Sequence, residues 1–259
     1  MILAVDIGNT NIVAALYGED SNGVCGWLGQ RRVKTKSPTA VVEFRHVIAD
    51  LSYDRAVVSS VVPLLTNNIV YEVKQASGVD PVIVDNTVKT GLANDTIPDE
   101  LGADIICNLV AAHHIYPNDY VTVADFGTAF TTETISPEGR VLGVTIGPGI
   151  MTSVKALFEN TAQLPEIRLD LPKSVLGLNT IDAIRAGVLY GFTGQITAIV
   201  GEIEKELGTK VKVIATGGFS RYVTDFVHVD RADIDHTLEG ARLICEMNSR
   251  DLEGVCWDS

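Results

Sequence analysis

Two short segments of the same shape govern what this chain can become: Asp6-Ile7-Gly8-Asn9-Thr10 and Asp125-Phe126-Gly127-Thr128-Ala129. Each follows an apolar stretch that reads as a strand, residues 2–5 and 121–124, and each runs into a second β-type stretch. Glycine lets the backbone turn tightly and approach an anion, and the exposed N–H groups and Thr hydroxyl of such a turn bind phosphate oxygens. The leading Asp suits a divalent cation, because carboxylate oxygen matches Mg²⁺. One glycine turn after a strand is ordinarily only a turn. Two copies, near the starts of the two halves, form an internal duplication and predict a clamp on the phosphates of a nucleotide.

Composition narrows the field. The 259 residues suffice for one large domain, or for two of ordinary size. With 46% hydrophobic and 20% charged residues, the balance is that of a soluble globular protein. A formal net charge of −13 argues against a nucleic-acid partner, which clustered Lys and Arg would have to hold. The one basic run, Arg31-Arg32-Val33-Lys34-Thr35-Lys36, alternates like a strand and reads as a solvated strand face. Of the cysteines, Cys25, Cys107, Cys245 and Cys256, no two form a Cys-x-x-Cys pair, and Cys107 and Cys245 sit in apolar, helix-like runs as small core residues. No stretch reads as the roughly 20 apolar residues of a membrane span. The chain also opens on a strand instead of a basic, then apolar leader. A cytoplasmic protein without a membrane partner is expected.

Periodicity predicts strands at 2–6, 12–17 and 26–34, then a helix at 41–51. A strand buried on both faces follows at 54–60, ended by Pro63, then a helix at 65–77 and a short strand at 81–84. The stretch from Asn86 to Gly102 is polar and irregular, and 103–115 reads as a helix. The second half repeats the opening, with strands at 120–124, 130–135 and 141–146. Helices at 150–160 and 180–207 and a strand at 212–216 complete it, with Gly187 and Gly191 as points where the long helix would break or bend. Turn residues gather at Pro117-Asn118-Asp119, which sets the expected domains at 1–117 and 118–259. The fold expected is α/β: two ribonuclease-H-like domains around a nucleotide cleft.

Two familiar phosphate-binding patterns are absent. There is no G-x-x-x-x-G-K-[ST], and Gly147-Pro148-Gly149 is followed by Thr152 where a dinucleotide fingerprint needs a third glycine. Asp104, at the start of a helix, is either a cap and dipole partner or a base that takes the proton of an attacking hydroxyl. The buried strand that empties into Gly217-Gly218 offers backbone that can approach a flat base closely, a floor for adenosine. His113-His114 lacks acidic or Cys neighbours at ligand spacing and reads as helix surface rather than a metal site.

These segments together resemble the type III pantothenate kinases of the acetate-and-sugar-kinase, chaperone and actin superfamily. The resemblance is carried by both Asp-x-Gly turns, Ser59-Ser60-Val61-Val62-Pro63, Gly102-Ala103-Asp104 and Gly147-Pro148-Gly149. Thr161-Ala162-Gln163-Leu164-Pro165, Asn179-Thr180 and Thr216-Gly217-Gly218 continue it, in the family's order over nearly the whole chain. It implies ATP-dependent phosphorylation of the pantothenate hydroxyl, the first step of coenzyme A synthesis, by a homodimer that uses ATP, Mg²⁺ and a monovalent cation (K⁺ or NH₄⁺). By position it implies that Asp6, Gly8, Asn9 and Thr10 hold phosphates, with Asp6 on Mg²⁺, and that Gly127 and Thr128 belong to the ATP site with Gly217 and Gly218. Asp104 would accept the proton, Gly102 and Ala103 would touch the acceptor, and Asp125 would bind the monovalent cation. Thr180 would reach an acceptor site completed across the dimer.

The departures fall on the acceptor side. Ile105 stands where the family carries the Arg that binds the pantothenate carboxylate, and Leu92-Ala93-Asn94-Asp95-Thr96-Ile97-Pro98 replaces a Tyr-x-Asn-Pro-like segment. Glu133 stands where Asp is usual. Lys155 and Arg185 are the candidates to supply the missing cation. The alternatives are a kinase of the same scaffold for an uncharged polyol or sugar-like alcohol, and a catalytically weak nucleotide-binding or regulatory partner subunit. Retention of Asp6, Asp104, Asp125 and Thr128 argues against the latter.

Overall fold

A computed structural model describes residues 1–161 and 167–249 of the chain. Cys256 and most of the expected motif at 161–165 lie outside the described residues. Strands β1 (Ile2–Ile7), β2 (Asn11–Glu19) and β3 (Cys25–Lys34) pair antiparallel in succession. β4 (Arg55–Ser60) and β5 (Val82–Ile83) add in parallel, for the order β3-β2-β1-β4-β5. The continuous apolar runs of β1 and β4 are buried along their length, as central strands covered on both faces must be. Helices α1 (Ala40–Ile48) and α2 (Pro63–Ser77) send Phe44, Ile48, Ile69 and Val73 into one core with Leu3, Val5 and Val58. Pro63 opens α2, where its missing N–H costs nothing.

The second sheet repeats this plan. β6 (Val121–Phe126), β7 (Ala129–Ile135) and β8 (Val141–Pro148) form the antiparallel meander. β9 (Lys212–Thr216) and β10 (Arg231–Ala232) add in parallel, for the order β10-β9-β6-β7-β8. β6 holds the place that β1 holds in the first sheet. Helices α4 (Ile150–Glu159) and α5 (Thr180–Leu207) cover one face, where Val154, Leu189, Phe192 and Ile196 meet Phe126 and Phe130.

Three expectations differ from what is found. α5 runs unbroken past Gly187 and Gly191. By length and composition α5 is also apolar enough to cross a bilayer, against the expectation that no stretch is. Its apolar residues serve the second core: Ala186, Val188, Leu189, Phe192 and Ile196 are buried there.

The third difference is the domain division. The chain forms two compact units, Ile115–Asp235 as one, and Met1–His114 joined by the segment that starts at His236 as the other. The expected boundary at 117/118 gave that last segment to the second domain. Instead helix α6 (His236–Asn248) packs on β1 and β4 and buries Leu238, Ala241, Ile244 and Cys245. Its contact with α3 (Ala103–Ile115) is backbone against backbone: a Cβ at Gly240 would fall inside the Cys107 carbonyl. Beside this crossing, Thr237 Oγ1 donates to Asn108 Oδ1 at 2.8 Å, and His236 Nε2 meets the Asn108 carbonyl at 3.0 Å.

Candidate active site

In the first unit the turn between β1 and β2 is closed by Gly8 N–H, which donates to the Asn11 carbonyl at 3.0 Å, and it leaves Asn9 and Thr10 exposed. Thr35, which sequence reasoning passed over, braces this turn. Its Oγ1 donates to the Gly8 carbonyl at 2.7 Å and its N–H to the Thr10 carbonyl at 3.1 Å. Asp6 lies just before the turn, half-buried, and the parallel register sets it opposite Ser59 on β4. Ser59 Oγ donates to Asp6 Oδ1 at 3.1 Å.

Asp104 sits in the first turn of α3, half-buried. Burial pushes its carboxyl above the ordinary aspartate range, while the N–H of Ile105, 2.8 Å from Oδ1, pulls the other way. Gly102 leaves the room this carboxylate needs, since a Cβ there would stand 2.5 Å from Asp104 Oδ1. One helical turn on, the Cys107 thiol is fully buried. Burial first, then the nearby Asp6 charge, holds it well above the usual thiol range. Asp6 and Asp104, far apart in sequence, thus share one neighbourhood of this unit around Cys107.

In the second unit Asp125 is half-buried near the end of β6, in register with Thr131 on one side and Thr216 on the other. Its Oδ1 lies over two glycines. A Cβ at Gly127 would stand 3.4 Å away, and one at Gly217 would overlap it. Gly217 also has φ +86°, a left-handed conformation that side chains resist, so space and backbone both require glycine there. Gly218 and Thr128 are exposed. The Thr128 carbonyl accepts the Gly149 N–H at 3.1 Å and Thr152 Oγ1 at 2.7 Å, which fixes the turn to the start of α4. Among the described residues Thr216 Oγ1 has no hydrogen-bond partner and is buried on the sheet face that carries Asp125. Glu133, fully buried, lies on the same face.

Among the described residues, no group of three or more His, Cys, Asp or Glu side chains is placed to hold a metal ion. Asp6 and Asp125 each offer a single carboxylate. That donor set fits hard cations that complete their shells with phosphate, carbonyl and water oxygens, as Mg²⁺ does. His113 and His114 line a largely apolar cavity of about 350 Å³ with Leu243 and Met247, between α3 and α6.

The acceptor-side residues are more scattered. Ala103 and Ile105 are buried, Ile105 at 8% exposure. Leu92 and Ile97 are buried around a short turn at Asn94–Thr96. In the second unit Thr180 begins α5 after Asn179, whose Oδ1 caps the helix by accepting the Asp182 N–H at 2.9 Å. Both residues line an open cavity of about 890 Å³ with Gly187, Gly191 and Gln195. Arg185 donates to the Arg168 carbonyl at 3.2 and 3.1 Å and faces Asp182 at 3.7 Å, while Lys155 pairs with Glu159 on the surface at 3.4 Å.

Two sheets of one plan, each with an Asp-x-Gly turn after its central strand, define an α/β protein of the actin-like ATPase fold. In agreement, a solved chain from Sinorhizobium meliloti assigned as a 2-dehydro-3-deoxygalactonokinase superposes with a TM-score of 0.63 over 100% of both chains, at 14% identity. The sequence profile of the type III pantothenate kinases matches residues 2–202. A type III pantothenate kinase of Moorella thermoacetica is 36% identical over 261 residues, covering 96% of this chain and 100% of its own. One from an Exiguobacterium species is 39% identical over 263 residues, with 96% and 100% covered. The chain belongs to the type III pantothenate kinase family.

Proposed function

We propose that the protein transfers the γ-phosphoryl group of ATP to the hydroxyl of pantothenate and so opens coenzyme A synthesis. Full-length similarity to type III pantothenate kinases carries this reading. It is supported by an aspartate of raised pKa, Asp104, beside the turn-bearing strand end at Asp6. Phosphoryl transfer asks a protein mainly to position groups and offset charge. In this reading the turns at 8–10 and 127–128 bind ATP phosphates through N–H groups and the hydroxyls of Thr10 and Thr128, and Gly217-Gly218 borders the adenosine. Asp6 supports Mg²⁺, which when bound offsets phosphate charge. Asp104 takes the proton of the attacking hydroxyl, next to Gly102, Ala103 and Ile105, and Thr180 contributes to the acceptor site. The enzyme acts in the cytoplasm. The direct test is ATP consumption with pantothenate against a panel of small alcohols. Pantothenate-dependent turnover with a phosphorylated product supports the proposal, and turnover only with an uncharged alcohol overturns it.

Asp125 is proposed to hold the monovalent cation. The half-buried Asp125 carboxylate beside Gly127 and Gly217, at the turn after the central strand, supports this reading. Activity should therefore depend on K⁺ or NH₄⁺, and Asp125→Ala should blunt that response more than it changes the Mg²⁺ requirement. Full wild-type activity in a buffer with Na⁺ alone would remove this role. A homodimer is proposed as well. It is supported by apolar side chains that the second unit leaves open, Ile146, Leu176 and Leu178 at 73%, 77% and 98% exposure. Light scattering on the eluting protein should give twice the chain mass.

The missing arginine calls for its own test. A carboxylate entering a partly dehydrated pocket needs a partner, and Ile105 offers no donor. Arg185 and Lys155 are proposed as that partner. Replacing the responsible one by Gln should raise KM for pantothenate about tenfold or more, as one charge-assisted hydrogen bond would. KM for ATP should hold, and so should KM for the alcohol analogue of pantothenate, which lacks the carboxylate. Ile105→Arg should bring no gain, because position 105 is buried. A lower pantothenate KM in Ile105→Arg would return the role to this position and favour an uncharged natural acceptor.

A further inference from the structure

We infer that Thr35 and Thr152 are positioning residues for the two phosphate turns: each hydroxyl draws one turn carbonyl back, so that the N–H following it is aimed at phosphate. The device is built twice on one plan. The third strand of each meander, as it leaves its sheet, returns to the turn between the first two strands. After β3 the Thr35 N–H donates to the Thr10 carbonyl, and after β8 the Gly149 N–H donates to the Thr128 carbonyl, both at 3.1 Å. A threonine hydroxyl then adds a second bond, in both cases at 2.7 Å: Thr35 Oγ1 donates to the Gly8 carbonyl, and Thr152 Oγ1, from the first turn of α4, to the Thr128 carbonyl. Neither hydroxyl is needed to close its turn. The Gly8 N–H already bonds the Asn11 carbonyl at 3.0 Å, and the Gly149 N–H already holds the Thr128 carbonyl.

What the hydroxyls fix is the direction of two peptide units. A trans peptide is planar, so its N–H points opposite to its C=O. With the Gly8 carbonyl held by Thr35, the Asn9 N–H points away from Thr35. With the Thr128 carbonyl held by Thr152, the Ala129 N–H points away from Thr152. Asn9 and Ala129 are both exposed. A peptide free to rotate would present its carbonyl oxygen where phosphate needs a donor, and the negative end of that dipole would repel the anion. Thr35 lies in the basic run 31–36 yet is buried at 9% exposure, so water competes little for its bond. Thr152 is exposed and is the weaker brace. Its turn is also confined by Gly149, where a Cβ would overlap the Gly127 and Thr128 carbonyls. Neither threonine touches nucleotide in this account, and both act through the turn backbone.

Since this rests on the reading of the turns as phosphate sites, the test separates the two. The measurement is the affinity of the purified full chain for Mg²⁺·ADP and for adenosine by ligand-observed NMR titration, with the melting temperature alongside. Thr35→Val keeps the shape of the side chain and removes the donor. It should weaken Mg²⁺·ADP binding roughly 3–10-fold, the net worth of one hydrogen bond, and leave adenosine within about twofold. Thr152→Val should act in the same sense by roughly 2–4-fold, because its bond is exposed and the Gly149 N–H still holds the carbonyl. Being exposed, Thr152 also covers the case that Thr35→Val folds poorly. Thr35→Ser keeps the hydroxyl and should stay within about twofold of wild type. The double variant Thr35→Val/Thr152→Val should lose the product of the two factors, since the braces share no partner. Equal losses for Mg²⁺·ADP and adenosine in Thr35→Val, or a loss in Thr35→Ser as large as in Thr35→Val, overturn the positioning role of Thr35. Mg²⁺·ADP binding that Thr152→Val leaves unchanged overturns that of Thr152. If the wild-type chain binds Mg²⁺·ADP no more tightly than adenosine, it is the phosphate reading of the turns that fails.

Discussion

Asp104→Asn should lower turnover by roughly 10²–10⁴, the usual worth of a general base, while ATP binding stays within a few-fold. The same substitution should make the fold more stable at neutral pH. Burial holds the Asp104 carboxyl above its ordinary range, so folding favours the protonated form. Its contribution to stability is then fully present below the unfolded pKa and is lost as pH rises through the folded one. At neutral pH the carboxylate is charged and costs stability, and the neutral amide removes that cost. Activity has the opposite demand, since the base must be deprotonated. Its acid limb should lie above the range of an ordinary aspartate and should vanish in the residual rate of Asp104→Asn. Near-normal turnover in the variant would return Asp104 to a helix-capping role. A melting temperature that falls at pH 7 would contradict the raised pKa.

Gly240→Ala should be the most destabilising single methyl in the first unit. The added Cβ would fall on the Cys107 carbonyl and the α3 backbone around it, and backbone cannot turn aside as a flexible side chain can. Overpacking against side chains costs about 1–3 kcal/mol, and here about 3 kcal/mol or more is expected. That corresponds to a fall of roughly 6–12 °C in melting temperature for a protein of this size. α3 would have to shift to admit the methyl, so turnover of the surviving folded protein should fall with it, through Asp104. An unchanged melting temperature would mean that the two helices have room the structure does not show.

The strands, both Asp-x-Gly turns and most helices were legible because their signals are local. Continuous apolar runs mark β1, β4 and β6, Pro63 marks the start of α2, and glycines mark the turns. What escaped was whatever depends on partners far along the chain. α6 is an ordinary amphipathic segment in sequence, and nothing within residues 236–248 says that its apolar side returns to β1 and β4. Thr35 escaped for the same reason, as did the contact of Ser59 with Asp6, since each depends on a distant stretch of chain returning to the first turn. Gly187 and Gly191 misled in the other direction. Each costs a helix about 1 kcal/mol against Ala, yet the buried residues of α5 outweigh that cost. On the acceptor side, the family's Arg position is occupied by a buried Ile, and no local signal names its replacement.

The return of α6 to the first sheet sets an order on the birth of the molecule. The stretch Ile115–Asp235 is continuous, so all its strands and helices are in hand as soon as it has left the ribosome. The unit that begins at Met1 must wait for α6, the cover of β1 and β4. At typical synthesis rates the delay from Ile2 to Asn248 is roughly 10–50 s. Through that interval the emerging amino-terminal sheet has one apolar face uncovered, a surface suited to a chaperone. The later-made middle of the chain is therefore the part able to finish folding first, and the amino-terminal half is finished by α6.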